Sequence, residues 1–296
     1  MSQLVWIGSS EHIDFIRNKL ELESKLLLAE GVVLKINEQK HGGYTFFGIS
    51  VPTDLKGIPL GEGTIFSLRY SVAKILTELI TLKFERQLLQ NLIKVHYHYF
   101  TWDERLLILE KALGFLAESY PQRRKHAVLQ LIFDYLETER LLNLEGFIRF
   151  RLGSYMEELS DAVEQAVDEY LAEKEYNDFI RLLRYFVEIQ EPRIERVNVL
   201  IQPSGLFQLY DSCDNIIKSD YLESFVAELA EHELSYEDLL ISTLITLAPR
   251  HIILHLPDPG GVMSTVHTIE SVFAERVSLC RGCAKCANYR KHNKKP

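Results

Sequence analysis

The sharpest chemical feature of the chain is Cys280-Arg281-Gly282-Cys283-Ala284-Lys285-Cys286, three thiols within seven residues. A spacing of two residues lets a tight turn bring neighbouring sulfurs to one centre. Gly282 suits that turn because glycine tolerates a positive φ. A thiolate binds zinc at about 2.3 Å, and a structural zinc needs four closed ligands. The run supplies three, so a fourth must come from elsewhere. The candidates are Cys213, then His255, with little between them, and then His292 six residues beyond Cys286. An iron–sulfur cluster is the rival cofactor. The bacterial ferredoxin run continues with a further cysteine and a proline, and this chain carries Arg290 and Lys291 there. A cluster with a remote fourth ligand stays open. So do plain reduced thiols and a redox pair of Cys280 and Cys283.

Weaker constellations surround this one. His251 and His255 share one face of a strand, and with Asp258 and His267 they suggest a polar pocket beside the cysteines, the place for an enzymatic site if the protein has one. Asp258-Pro259-Gly260-Gly261 precedes a helix whose free N–H groups suit a phosphate, but it lacks the spaced glycines and lysine of phosphate loops. It reads first as a turn. Gly146-Phe147-Ile148-Arg149-Phe150-Arg151-Leu152 mixes aromatic residues with arginines, the types favoured at interface hot spots. Phe147, Arg149 and Arg151 are therefore candidate contacts for a protein partner, with internal ion pairing of the arginines as the simpler alternative.

The elements that position these residues follow from periodicity. Residues 1–62 read as a small α/β segment. It holds an apolar run at Leu4–Ile7, a helix from Ile13 capped by Ser10, and a hairpin of Val32–Ile36 and Tyr44–Val51 around a long polar loop. Residues 63–192 read as an all-helical middle. Its helices fall near Trp102–Glu118 (opened by Thr101), Gln122–Glu139, Leu144–Leu171 and Lys174–Glu188, with apolar residues three and four apart. Residues 193–296 return to α/β. Val197–Ile201 and Leu206–Tyr210 form a hairpin, helices follow near Tyr221–Glu231 and Tyr236–Leu247 (capped by Ser235), and His251–His255 is a strand. A helix near Ser264–Ala274 then leads to a last strand, Val277–Leu279, as a right-handed crossover between parallel strands. His255 and Cys280 then sit at carboxyl ends of neighbouring strands, the edge where open α/β sheets place ligands. The fold class is α/β mixed, with outer segments expected to share one sheet around a helical insertion, or else to form two separate lobes.

Composition narrows the function classes. The chain has 296 residues, 47% hydrophobic and 25% charged, and a net charge of −9. The charge is unevenly spread, since residues 281–296 carry six basic side chains (Arg281, Lys285, Arg290, Lys291, Lys294 and Lys295) and no acidic ones. An acidic body argues against a broad nucleic-acid face, because duplex binding needs cations over many phosphates. Only the basic tail offers a weak contact of that kind. No secretory signal and no run of about 20 apolar residues is visible, and the clustered cysteines do not form a secreted disulfide framework. A cytoplasmic location is expected.

Three stretches carry a resemblance: Leu144 to Leu152, Glu175-Tyr176-Asn177-Asp178-Phe179-Ile180-Arg181-Leu182-Leu183-Arg184-Tyr185-Phe186-Val187, and the terminal Cys280-x-x-Cys283-x-x-Cys286. Together they resemble the YtxC-like family of sporulation proteins from endospore-forming bacteria, over nearly the whole chain. The resemblance implies a cytoplasmic role in a spore-forming cell and offers no catalytic residues. The leading expectation is a non-enzymatic interaction scaffold with a metal-binding C-terminal segment. The alternative is a metal-dependent or iron–sulfur enzyme working at the sheet edge near His255.

Overall fold

A computed structural model describes residues 2–29, 32–51, 62–217, 235–257 and 262–287. The chain divides into two compact units, Met1–Leu171 and Ala172–Pro296. Each has its own four-stranded sheet and its own buried apolar cluster. The shared sheet is thus corrected to two separate ones, because the polypeptide supplies each segment with a strand partner of its own.

In the first unit the strands are β1 (Ser2–Ser9), β2 (Lys35–His41), β3 (Tyr44–Val51) and β4 (Leu141–Asn143), in the order β2-β3-β1-β4. Val5, Ile7, Phe47 and Ile49 are fully buried, each contributing roughly 1.5–3 kcal/mol of transfer free energy. Gly48 lies opposite Trp6, and a Cβ there would come within 2.7 Å of the indole ring, so the close approach requires glycine. The hairpin is tighter than expected. β2 extends through the polar residues up to His41, leaving Gly42 and Gly43 as the turn, with Gly42 at φ +58°. β2 is an exposed edge strand, so pairing with β3 holds it extended without an apolar signature of its own. The short strand β4 runs parallel to β1, with Ile7 opposite Leu142. It interrupts the helical segment and ties it to the first sheet.

Helices α1 (Ile13–Ala29), α2 (Glu62–Leu79), α3 (Glu85–His96), α4 (Trp102–Glu118), α5 (Pro121–Thr138) and α6 (Leu144–Arg151) follow. Thr101 and Glu104 form a reciprocal capping box at α4, each half satisfying an orphan backbone donor. Between α2 and α3 the helix widens into a π-turn at Ile80–Phe84. A buried network crosses the core: Tyr155 Oη donates to Glu85 Oε2 at 2.8 Å. Arg124 Nε lies 3.3 Å from the same oxygen, while Arg124 Nη2 donates to the carbonyl of Leu116 near the end of α4. Burial first, and then the Glu85 carboxylate, push the Tyr155 phenol far above its ordinary range.

Helix α7 (Gly153–Ile189) is continuous over 37 residues. The expected break between 171 and 174 is absent, and the helix boundary falls at Leu152 instead. Its first part buries Leu159, Val163 and Val167 in the first cluster, and its last part buries Ile180 and Val187 in the second.

The second unit contains β5 (Ile194–Ile201), β6 (Phe207–Tyr210), β7 (Pro249–His255) and β8 (Val277–Leu279), with α8 (Tyr236–Leu247) and α9 (Met263–Phe273). The sheet order is β6-β5-β7-β8. β5 and β6 are antiparallel, while β5–β7 and β7–β8 are parallel, as the hairpin and crossover readings require. Ser235 and Asp238 cap α8 reciprocally. The helix expected near Tyr221–Glu231 and the Asp258–Gly261 loop lie outside the described residues.

Candidate metal centre

Parallel pairing determines where the candidate ligands meet. β7 ends at His255 and β8 ends at Leu279. The Cys280 N–H donates to the Leu254 carbonyl at 2.9 Å, which extends the ladder by one residue and brings the cysteine run alongside His255. Gly282 then takes φ +116°, a conformation that L side chains rarely adopt. Its N–H points at Cys280 Sγ, 3.4 Å away. A helical turn at 284–287 follows, with the Ala287 N–H donating to the Cys283 carbonyl at 3.0 Å. This turn carries Cys286 inward, where it is 4% exposed.

His255, Cys280, Cys283 and Cys286 converge, with all four ligand atoms within 4.8 Å of one another. His255 Nδ1 is 3.3 Å from Cys283 Sγ and 3.6 Å from Cys286 Sγ, and the two sulfurs are 3.8 Å apart. A tetrahedral zinc with the usual bond lengths has sulfur–sulfur edges of about 3.8 Å and sulfur–nitrogen edges of about 3.6 Å. The group therefore has the dimensions of a coordination shell around a single ion, so it could hold a metal.

The imidazole is oriented from behind. His255 Nε2 lies 3.3 Å from Asn198 Oδ1. Asn198 in turn donates from Nδ2 to the Asp211 carbonyl at 3.1 Å, which fixes its oxygen toward the ring. Asn198 is paired with Ile253 in register, so His255 is its diagonal neighbour on the same face. The proton then belongs on Nε2, and the Nδ1 lone pair faces the sulfurs. This is how outer groups select a metal-binding tautomer. Burial and the nearby Lys285 cation lower the His255 pKa, with Asp214 opposing them, a shift that favours the neutral ring a metal ligand requires.

The thiols are also unequal. Burial, together with the neighbouring Cys283 and Cys280, pushes Cys286 up to about 11. Cys283 is also raised by burial, but hydrogen bonds from the Cys286 backbone and from the Cys280 and Cys286 side chains outweigh this and lower it overall.

The hairpin reaches this edge through a different residue from the one expected. Lys285 Nζ lies 2.7 Å from Asp214 Oδ1 and 3.7 Å from the centroid of the Tyr210 ring. Cys213, one residue away, is exposed and stands outside the converging group. The order of the fourth-ligand candidates is corrected accordingly, with His255 replacing Cys213. The reason is strand order. β5 separates β6 from β7 in the sheet, and where the loop after β6 does reach the cysteine run it does so through Asp214, while the Asp211 carboxylate holds the turn by accepting N–H bonds from Cys213 and Asn215 and the Cys213 side chain stays exposed. His292 lies outside the described residues, as does Asp258. His251 and His267 are both exposed and do not join the group. Asn198 was not among the sequence candidates, although a lone amide inside Val197-Asn198-Val199-Leu200 was a readable signal. A buried polar side chain in an apolar strand needs a partner.

The arginine-rich patch is divided by its helix. Phe147 is buried and packs against Tyr135, with ring centroids 5.3 Å apart. The partner surface expected at Phe147 is corrected to a core contact, since that residue lies on the inner face of α6. Arg149 lies over the Phe150 ring and Arg151 over the Tyr135 ring.

No helix among the described residues is long and apolar enough to cross a membrane. In comparisons with known proteins, the model of the YtxC-like family matches residues 70–278. That span includes Asn198 and His255 and ends just before Cys280. A protein of Bacillus subtilis (strain 168) described as uncharacterized protein YtxC is 32% identical over 110 residues, which is 36% of this chain and 37% of that protein. The matched region thus spans little more than a third of that relative. No solved structure matches.

Proposed function

The chain belongs to the YtxC-like family, and for this member we propose a cytoplasmic, sporulation-associated interaction scaffold without enzymatic activity, whose C-terminal unit is locked by one zinc ion on Cys280, Cys283, Cys286 and His255. The observation that carries this reading is the convergence of three thiols and one oriented imidazole within 4.8 Å. Four protein ligands complete a tetrahedral shell and leave no open position for water or substrate, which is the pattern of structural rather than catalytic zinc. Ligand atoms this close favour a single ion over a multi-iron cluster. The sporulation assignment rests on the family resemblance alone.

A structural ion bound only by the folded chain raises stability by mass action, by about 4 kcal/mol at a thousandfold excess over its Kd. Thermal unfolding of the purified protein with added zinc, with a chelator and with neither tests the reading. A higher melting temperature with zinc, reversed by the chelator and missing in Cys286→Ser, is expected. Identical melting curves in all three conditions contradict it.

A further inference from the structure

The stretch 175–187 is left unused by the metal centre. The part of α7 that carries it belongs to the second unit and has two apolar faces. Ile180 and Val187 are buried in the second cluster, with Leu183 packed against it. Arg184 ties this inner face to α9, its Nε donating to the Ser271 carbonyl at 3.1 Å. The opposite face carries Phe179, Leu182, Tyr185, Phe186 and Ile189, each between 42% and 59% exposed.

Phe179, Leu182, Phe186 and Ile189 follow one another at intervals of three, four and three residues, the spacing with which apolar side chains line a seam between two helices. Asp178 and Arg181 pair with each other beside the stripe and give it a polar rim. A half-exposed large side chain leaves about 100 Å² in water, so the five residues present roughly 500 Å². Two such faces together bury about 1,000 Å² before the rim is added, the size at which a specific interface begins.

The stripe complements itself when two copies run antiparallel. Phe179 then meets the partner's Ile189, and Leu182 meets the partner's Phe186. Every aromatic ring faces an aliphatic side chain, so large and small volumes alternate along the seam. A parallel pairing would set Phe179 on Phe179 and Phe186 on Phe186 instead. The antiparallel register also brings Glu175, four residues before Phe179, opposite the partner's Arg193, four residues beyond Ile189. Both side chains are exposed, and neither has an ion pair among the described residues. Twofold symmetry produces this opposite-charge contact at both ends of the seam.

We propose that the exposed face of α7 in the second unit is a homodimer interface, in which two copies of the helix pack antiparallel through Phe179, Leu182, Phe186 and Ile189 and Glu175 pairs with the partner's Arg193 at each end. A second copy is the occupant because the face matches itself in area, in side-chain volume and in the charge at its two ends. The inference goes beyond the interaction-scaffold reading and does not depend on the metal.

Sedimentation velocity of the full-length protein across the micromolar range tests this, with a concentration-dependent monomer–dimer equilibrium expected. Phe186→Asp should weaken the dimer about 100-fold, because an isologous interface carries the substitution twice. The side chain is 42% exposed, so the melting temperature of the dilute monomer should not fall. Glu175→Arg and Arg193→Glu should each weaken the dimer about tenfold, since each sets like charges together at both ends. Mixing the two charge variants should restore it, because both ends of the mixed dimer then pair opposite charges. A chain that stays monomeric at every concentration overturns the proposal. So does a dimer indifferent to Phe186→Asp, or one that mixing the charge variants fails to restore. Zinc content measured on the same preparations tests the metal reading separately.

Discussion

Replacing Asn198 with leucine isolates the contribution of the group behind the candidate metal centre. In the native chain the Asn198 amide oxygen accepts the Nε2 proton of His255 at 3.3 Å. A neutral imidazole carries one N–H, so this contact keeps Nδ1 free to face Cys283 and Cys286. Leucine has similar volume and suits the apolar strand around it, but it offers no acceptor. The ring then loses its tautomer preference, and its buried Nε2–H is left unpaired. Losing an outer partner of this kind lowers metal affinity about 10–100-fold, equivalent to roughly 1.4–2.7 kcal/mol. The unpaired donor itself costs about 1–3 kcal/mol of metal-free stability. Zinc competition against a chromophoric chelator at constant pH measures the first effect, and chemical unfolding of the metal-free form measures the second. An Asn198→Leu protein whose zinc Kd stays within about twofold of wild type refutes the orienting role. Lowered metal-free stability with unchanged affinity reduces Asn198 to a packing residue.

Other expectations follow from the same geometry. Cys213→Ser leaves zinc stoichiometry and affinity unchanged, as measured by elemental analysis and chelator competition, because the Cys213 thiol is exposed and outside the converging group. Tyr155→Phe removes the hydroxyl that donates to Glu85 in a buried network, and should cost about 1–3 kcal/mol by urea unfolding. Asp211 has its carboxyl held below the ordinary range by the backbone and side chain of Asn215 and then by the Cys213 N–H, against a smaller opposing effect of burial. A depressed folded-state pKa contributes stability that is present above the unfolded value of about 3.9 and is lost as pH falls through the folded one. Asp211→Asn should therefore flatten the acid limb of the stability profile, followed by urea midpoints from pH 7 downward.

Local chemistry was easier to read in the sequence than the choice of partners. The cysteine spacing and the positive-φ turn at Gly282 are encoded within seven residues, and a crossover between parallel strands already places His255 near Cys280. Capping serines and threonines such as Thr101 and Ser235 were legible for the same reason, since each acts three residues away. Cys213 and His255 read as nearly equal candidates in the sequence because hairpin pairing is local, whereas the position of the hairpin in the sheet depends on distant strands. β4 leaves no signal in the sequence because three residues, Leu141-Leu142-Asn143, are too few to show alternation and their partner β1 lies more than 130 residues earlier. The polar part of β2, Asn37–His41, reads as loop in the sequence because an exposed edge needs no apolar face. Phe147 looked like an interface anchor in the sequence, and only its place on the inner face of α6 reveals a core residue.

The most direct test of the proposed zinc centre is the metal content and visible absorption spectrum of the protein purified without oxygen. One zinc per chain, no colour, and loss of the metal in both His255→Ala and Cys286→Ser are the predicted results. Iron with sulfide and a brown colour contradict the single-ion centre, and a metal-free chain that stays folded contradicts the metal lock altogether.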